Sequence, residues 1–247
     1  MIIEEAPFLK SAIDSIVSLV EEGVFEITEE GIKFKAMDPS QISMISFSME
    51  KKSFESFEID ENRAIGLDIT QFSNVLSRGK KGEKAELSLE DGRMVIKFLG
   101  DKKSKTFKIP LLELSSGMQK EPPITYTNHV KINADAFKES LKDAKLISSH
   151  VKLSINPDDF IVEVKGESGH LKDEFHKDSA EVIEIKTSSK EGARATFPLQ
   201  YLEDIVKASL SSTEITIFLE TDKPLKISYE LSGAKIVYYL APRIEND

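Results

Sequence analysis

One pattern along the chain restricts the possible folds more than any other feature. A helical segment, a β-hairpin, a second helical segment and a second hairpin follow in order, and the same order returns about 130 residues later. The first helix is expected over 7–21, with Pro7 in its first turn and Leu9, Ile13, Ile16 and Val20 at helical spacing, flanked by Phe8, Ala12 and Leu19. Strands are expected at 24–28 and 32–37 around the turn Glu29-Glu30-Gly31. Ile32, Phe34 and Ala36 alternate there with Lys33, Lys35 and Met37, as in a half-buried strand. Ile45, Phe47 and Met49 alternate in the same way with Ser46 and Ser48. A helix over 69–78 has Asp68 as its cap, Phe72, Val75 and Leu76 facing inward, and Gly79 as its stop. A hairpin at 85–89 and 94–98 turns at Asp91-Gly92.

In the second copy, Phe137, Leu141 and Ala144 mark a helix over 134–147, with strands near 151–155 and 160–165. Leu202, Ile205 and Val206 mark a helix over 198–209 that starts at Pro198, followed by strands at 214–220 and 224–231. Phe8 is expected to match Phe137, Phe72 to match Leu202, and Phe98 to match Tyr229. A unit this long is no solenoid repeat. It predicts an α+β chain of two similar domains, 1–112 and 129–247, each with two helices packed on antiparallel sheets. The stretch 113–128, with Ser115-Ser116-Gly117 and Pro122-Pro123, reads as a connector. Candidate sheet edges lie near 105–112 and 171–178, and bare edges invite pairing. Joining identical subunits edge to edge into a ring covers them; a bulge or a covering loop is the other solution.

At 247 residues, 40% apolar and 31% charged, the chain has the means to bury a sizeable core. No apolar run reaches the roughly 18 residues of a membrane span. Glu4 and Glu5 stand where a secretory signal carries basic residues, so a cytoplasmic protein is expected. The absence of cysteine excludes disulfides, thiolate metal sites and a cysteine nucleophile. The net charge of −10 argues against a protein that coats nucleic acid, although a basic stripe can sit on an acidic body.

Such a stripe is present. Lys138, Lys142 and Lys145 fall at i, i+4 and i+7, about a quarter-turn from Phe137, Leu141 and Ala144. Lys10 sits beside the apolar face of the first helix, Arg78, Lys80, Lys81 and Lys84 cluster after the second, and Lys207 lies late in the fourth. For any one helix, a solvated face balanced by residues such as Glu139 and Asp143 is the better reading. Repetition at all four helices favours phosphate contacts, which bind without sequence preference and weaken with salt. No aromatic is interleaved with these lysines to stack on bases.

No catalytic constellation emerges, so no enzyme, cofactor or metal is expected. His170 and His176 flank Asp173 and Glu174, but at no ligand spacing, and His129 and His150 stand apart. Gly79-Lys80-Lys81-Gly82 lacks the preceding glycine and the Ser/Thr of a phosphate loop.

Two segments carry a family likeness. Gly31-Ile-Lys-Phe-Lys-Ala-Met37-Asp38-Pro39-Ser40-Gln41-Ile42-Ser43-Met44-Ile45 and the ending Tyr238-Tyr239-Leu240-Ala241-Pro242-Arg243-Ile244-Glu245 resemble the proliferating cell nuclear antigen family. Phe197-Pro-Leu-Gln-Tyr-Leu202 and Ser211-Ser212-Thr213 extend the likeness, which covers essentially the whole chain. The lack of cysteine and tryptophan, and Gln41 where eukaryotic members usually have histidine, make it archaeal-like. The resemblance implies the DNA clamp fold, assembled as a closed homotrimeric ring with helices lining the hole. It implies a processivity factor for DNA replication and repair that encircles double-stranded DNA. Its implied partners are a clamp-loader ATPase, DNA polymerase, flap endonuclease and ligase. Carried over by position, the client-peptide pocket comprises Met37, Gln41, Ile42, Met44, Met118, Ile124, Pro224, Tyr239, Ala241, Pro242, Arg243 and Ile244. Core packing is the competing reading for Met37, Ile42 and Met44. The other functions to weigh are a subunit of a heterotrimeric or checkpoint-type clamp, a non-DNA all-β binding or scaffold module, and an enzyme of unknown type. The module accounts for the strands but not for the helical lysines or the repeat.

Overall fold

The computed structural model describes residues 1–114 and 119–244. It contains two compact units, the first made of Met1–Pro39, Ile45–Gln119 and Glu230–Ile236, the second of Ser40–Met44, Lys120–Tyr229 and Val237–Asp247.

In the first unit, β1 (Ile2–Ile3), β6 (Lys84–Glu90), β7 (Arg93–Leu99) and β8 (Ser104–Pro110) form a four-stranded antiparallel sheet in that order. A second run is ordered β4 (Ser43–Glu50), β3 (Gly31–Met37), β2 (Glu22–Thr28), β5 (Arg63–Asp68). Period-2 patterning fixes the faces: Phe25 and Ile27 on β2 and Ile32 and Phe34 on β3 are buried, while Lys33 and Lys35 are exposed. Two helices, α1 (Ala6–Val17) and α2 (Ile69–Leu76), bury Leu9, Ile13, Ile16, Phe72 and Leu76. Asp68 caps α2, its carboxylate accepting the Gln71 N–H at 2.7 Å.

Three expectations need correction here. The first helix ends at Val17, not at 21. The N–H groups of Leu19 and Val20 both turn back to the Ile16 carbonyl, so Val20 is buried from a turn. Gly79 follows α2 for reasons of room rather than left-handed backbone, because an added Cβ would lie 2.6 Å from Ala6 Cβ and 2.7 Å from the Phe98 ring. Phe8 is 54% exposed, whereas Leu9 is 2% exposed. Leu9 is therefore the counterpart of the buried Phe137.

The second unit repeats the plan. The strands β9 (His129–Asn133), β15 (Glu214–Phe218), β16 (Leu225–Leu231) and β17 (Ala234–Leu240) follow one another in one run, with β13 (Val182–Lys186) outside β9. A four-stranded antiparallel sheet is ordered β12 (Gly169–His176), β11 (Asp159–Gly166), β10 (His150–Ile155), β14 (Ala193–Pro198). Two helices, α3 (Ala134–Lys145) and α4 (Leu199–Lys207), bury Phe137, Leu141, Leu202, Ile205 and Val206. Asn133 caps α3 through the Asp135 N–H at 2.9 Å, and Pro198 stands at the α4 cap. The buried Tyr229 hydroxyl donates to the Ile205 carbonyl at 2.9 Å.

Matched strand for strand, β8 corresponds to β17 and β4 to β12. β8 and β12 each end a four-stranded sheet. Four helices on antiparallel sheets make the fold α+β.

Candidate nucleic-acid interface and partner site

The lysines of α3 and α4 share one groove, lined by Lys138, Lys142, Lys145 and Lys207 with Glu203 and Asp204 among them. Helical spacing brings them to one side, but they are not equivalent. Lys138 Nζ donates to the Ser209 carbonyl at 2.5 Å and keeps only 20% side-chain exposure. Burial pushes its ammonium below the ordinary lysine value, opposed by Asp135 and aided by Lys142. Lys142 pairs with Glu139 one turn away at 2.5 Å, and that carboxylate raises its pKa. Lys145 reaches Glu203 of α4 at 2.7 Å. Lys207 is exposed and forms no ion pair among the described residues. The stripe expected from spacing is therefore one half-buried structural lysine and three solvent-facing ones.

The first unit divides in the same way. Lys10 is held by Asp14, whose other oxygen accepts the Ser73 hydroxyl at 2.7 Å, so this cation ties α1 to α2. Lys84 is the first residue of β6 and pairs with Glu55, which takes it out of the cluster after α2. Arg78, Lys80 and Lys81 are exposed and form no ion pairs among the described residues. The Lys105 ammonium donates to the Arg78 carbonyl at 2.7 Å and fixes the backbone that presents them.

The candidate peptide site gathers around the chain ending. The Ala241 N–H donates to the Ile42 carbonyl at 2.9 Å, and the Ser43 hydroxyl donates to the Tyr239 carbonyl at 3.0 Å. Ile42, Ile124, Pro224, Ala241 and Pro242 are half-buried, while Gln41, Arg243 and Ile244 are exposed, Ile244 by 77%. Gln41 adopts a left-handed φ of 58°, in the stretch between β3 and β4. Met37 is half-buried at the end of β3. Met118 lies outside the described residues.

One expectation fails here. Met44 is 3% exposed and belongs to the core, so it offers no floor to a ligand. The chain ending is tied down by two of its backbone N–H groups. Besides the Ala241 bond, the Arg243 N–H donates to the Thr196 carbonyl at 2.8 Å, and Pro242 has no donor.

Sequence reasoning missed the groups that hold the stretch 121–128. The Tyr126 hydroxyl donates to the Pro224 carbonyl at 2.9 Å, and the Tyr239 hydroxyl to Glu121 at 2.8 Å. Burial, with Glu220 near Tyr126 and Glu121 at Tyr239, drives both phenols well above their ordinary value. Glu220 accepts from the Thr127 hydroxyl at 2.9 Å and from the Asn128 side-chain amide at 3.1 Å, and also from the Thr127 N–H. No local pattern announces these bonds, because their partners lie about 90 or more positions apart.

The histidines have ordinary partners: His129 with Glu184 at 3.1 Å, His170 with Glu163 at 2.9 Å, His176 with Asp178 at 3.6 Å, and His150 with Ser149 at 3.0 Å. Among the described residues, no group of three or more His, Asp or Glu is placed to hold a metal ion.

Known proteins match this chain along nearly its whole length. The family model for the proliferating cell nuclear antigen N-terminal domain matches residues 1–116, and that for the C-terminal domain matches 120–244. A protein named DNA polymerase sliding clamp from Methanococcus vannielii is 39% identical over 242 residues, covering 96% of each chain. DNA polymerase sliding clamp 1 of Pyrobaculum aerophilum is 35% identical over 235 residues, 94% of this chain and 93% of that one. Among solved structures, the C-terminal region of FEN-1 bound to A. fulgidus PCNA aligns with a TM-score of 0.89 and 28% identity, over 100% of this chain and 98% of that one. PCNA from Thermococcus kodakaraensis, 22% identical, shares the fold with a TM-score of 0.94 over 98% of this chain and 99% of that one. With both domain models accounted for and relatives matched end to end, the chain belongs to the proliferating cell nuclear antigen family of DNA polymerase sliding clamps.

Proposed function

We propose that three copies of this chain close into a ring around duplex DNA and tether polymerases and repair enzymes to it, acting by binding and not by turnover. Each copy contributes two domains, 1–112 and 129–247, joined by the connector 113–128. One observation carries the reading: among the described residues, β8 and β12 each stand at the end of a four-stranded antiparallel sheet, with one side unpaired. A second copy that lays its β12 on β8 covers both edges. Because each copy has one edge of each kind, the contact is head to tail, and such a contact gives a ring when the rotation between copies closes, as the family implies. The number three is what the family implies.

Lys142, Lys145, Lys207, Arg78, Lys80 and Lys81 then meet phosphates, positioning the ring without reading bases. Lys10, Lys84 and Lys138 support the surfaces that carry them. Ile42, Ile124, Pro224 and Ile244 receive the aliphatic and aromatic side chains of a short client peptide, with Met37, Gln41, Tyr239, Ala241, Pro242 and Arg243 around them. The FEN-1 complex of the A. fulgidus relative supports this part of the reading. A clamp-loader ATPase, DNA polymerase, flap endonuclease and ligase are the proposed partners. The mass of the purified protein in solution tests the ring: about three times 27.6 kDa is expected, and a stable monomer contradicts a homotrimer.

A further inference from the structure

Beside the chain ending lies a polar groove, lined by Ser148, His150, Lys152, Glu163, Lys165 and Arg243. The strands beneath it bury alternate residues: Val151, Leu153 and Ile155 on β10, and Phe160, Val162 and Val164 on β11. The Phe160 ring lies 5.8 Å from Phe137 of α3, so the buried set points at the helices. His150, Lys152, Glu163 and Lys165 therefore stand on the opposite face of the sheet from the lysines of α3 and α4. The Arg243 N–H bonds the Thr196 carbonyl, and Thr196 is the cross-strand neighbour of Lys152. The ending that carries Ala241, Pro242 and Ile244 thus delivers the Arg243 guanidinium into the groove.

The charge there is unbalanced. Glu163 is the groove's one acidic lining residue, and it is already engaged by Lys165 at 3.2 Å and His170 at 2.9 Å. Lys152 and Arg243 form no ion pair among the described residues. A local surplus of cations on a chain of net charge −10 attracts anions to this place.

We infer that this groove selects client peptides whose apolar anchor is flanked by acidic residues, an inference that rests on the chain ending being the client site. Acidic client residues reach the groove by continuing from the anchor past Arg243. Phosphates of the encircled duplex do not, because the helical lysines that hold them lie on the other face of the sheet.

Fluorescence anisotropy tests the inference with peptides that share one aliphatic-aromatic anchor and carry Glu-rich, Ser-rich or Lys-rich flanks. The Glu-flanked peptide is expected to bind about fivefold tighter than the Ser-flanked one, the order given by two ion pairs at an interface rim, and to lose that advantage at high salt. In Lys152→Glu the advantage disappears while the Ser-flanked peptide binds as before. Equal affinity for all three flanks overturns the inference while leaving the client site standing. Failure of every peptide to bind removes the client site and the inference with it. If duplex DNA erases the flank advantage and Lys152→Glu weakens DNA retention, the groove belongs to nucleic acid and the inference is overturned.

Discussion

Replacing Lys138 by methionine separates its structural bond to Ser209 from the phosphate contacts proposed for Lys142 and Lys145. Methionine keeps the apolar stem beside Leu141 and removes the ammonium that donates to the Ser209 carbonyl at 2.5 Å. A hydrogen bond from a charged donor is worth about 1.5–3 kcal/mol when both groups are desolvated. The side chain keeps 20% exposure, and removing the ammonium also relieves the burial that lowers its pKa. The net loss is therefore about 1 kcal/mol, a fall in Tm of about 2–4 °C for a chain of this size. Thermal unfolding followed by circular dichroism reads that fall, and the salt dependence of DNA retention is measured on the same preparations. Lys142→Met is the control. Its side chain is 64% exposed and pairs with Glu139 on the solvent-facing side, so Tm stays in place while the salt slope drops by about one unit. If Lys138→Met leaves Tm unchanged and lowers the slope as much as Lys142→Met does, Lys138 is a phosphate ligand and the reasoning from Ser209 is wrong.

Lys207→Ala is expected to lower the salt slope without touching stability or sequence preference, as read in a salt titration of DNA binding. The double change Ile42→Ala with Ile244→Ala removes two apolar anchors, at about 2 kcal/mol or roughly thirtyfold in affinity for a central one; polymerase stimulation is lost while oligomer mass and loading persist. Normal stimulation by that variant refutes the pocket assignment. His150 gives a pH dependence: burial, aided by Arg243, holds its imidazole below the ordinary 6.5. The unfolded chain then binds more protons than the folded one, so stability falls as pH drops through about 6.5. His150→Gln is expected to flatten that decline, as measured by denaturant unfolding across this range.

The helices and hairpins were legible because their signals are local. Leu9, Ile13 and Ile16 set the face of α1, Asp68 caps α2, and Asp91-Gly92, with φ of 48° and 70°, makes the turn expected of that pair. The repeat was legible too, but its register slipped at the first helix. Phe8 and Leu9 look alike to a hydrophobicity pattern, and only packing shows that Leu9 is the inward one. The lysine stripe shows the limit most clearly. Spacing correctly brought Lys138, Lys142 and Lys145 to one side of α3. It carried no information about the Ser209 carbonyl or Glu203, more than 50 positions away, which decide how free each cation is. At the chain ending, no local pattern pointed to the Ile42 and Thr196 carbonyls, which take the N–H groups of Ala241 and Arg243. Met44 was misplaced because flexible apolar residues suit a core and a client pocket equally well.

Topological retention on DNA tests the central claim most directly. The protein is loaded onto closed circular duplex by a clamp-loading ATPase with ATP, free protein is removed by gel filtration, and the circle is cut once with a restriction enzyme. An acidic chain with only narrow basic stripes holds phosphates too weakly to stay bound by affinity at physiological salt. The expected result is protein that co-elutes with the intact circle, leaves after the cut, and stays on a cut molecule whose ends are blocked by bound protein. Equal retention on circular and open linear DNA contradicts a ring that encircles the duplex.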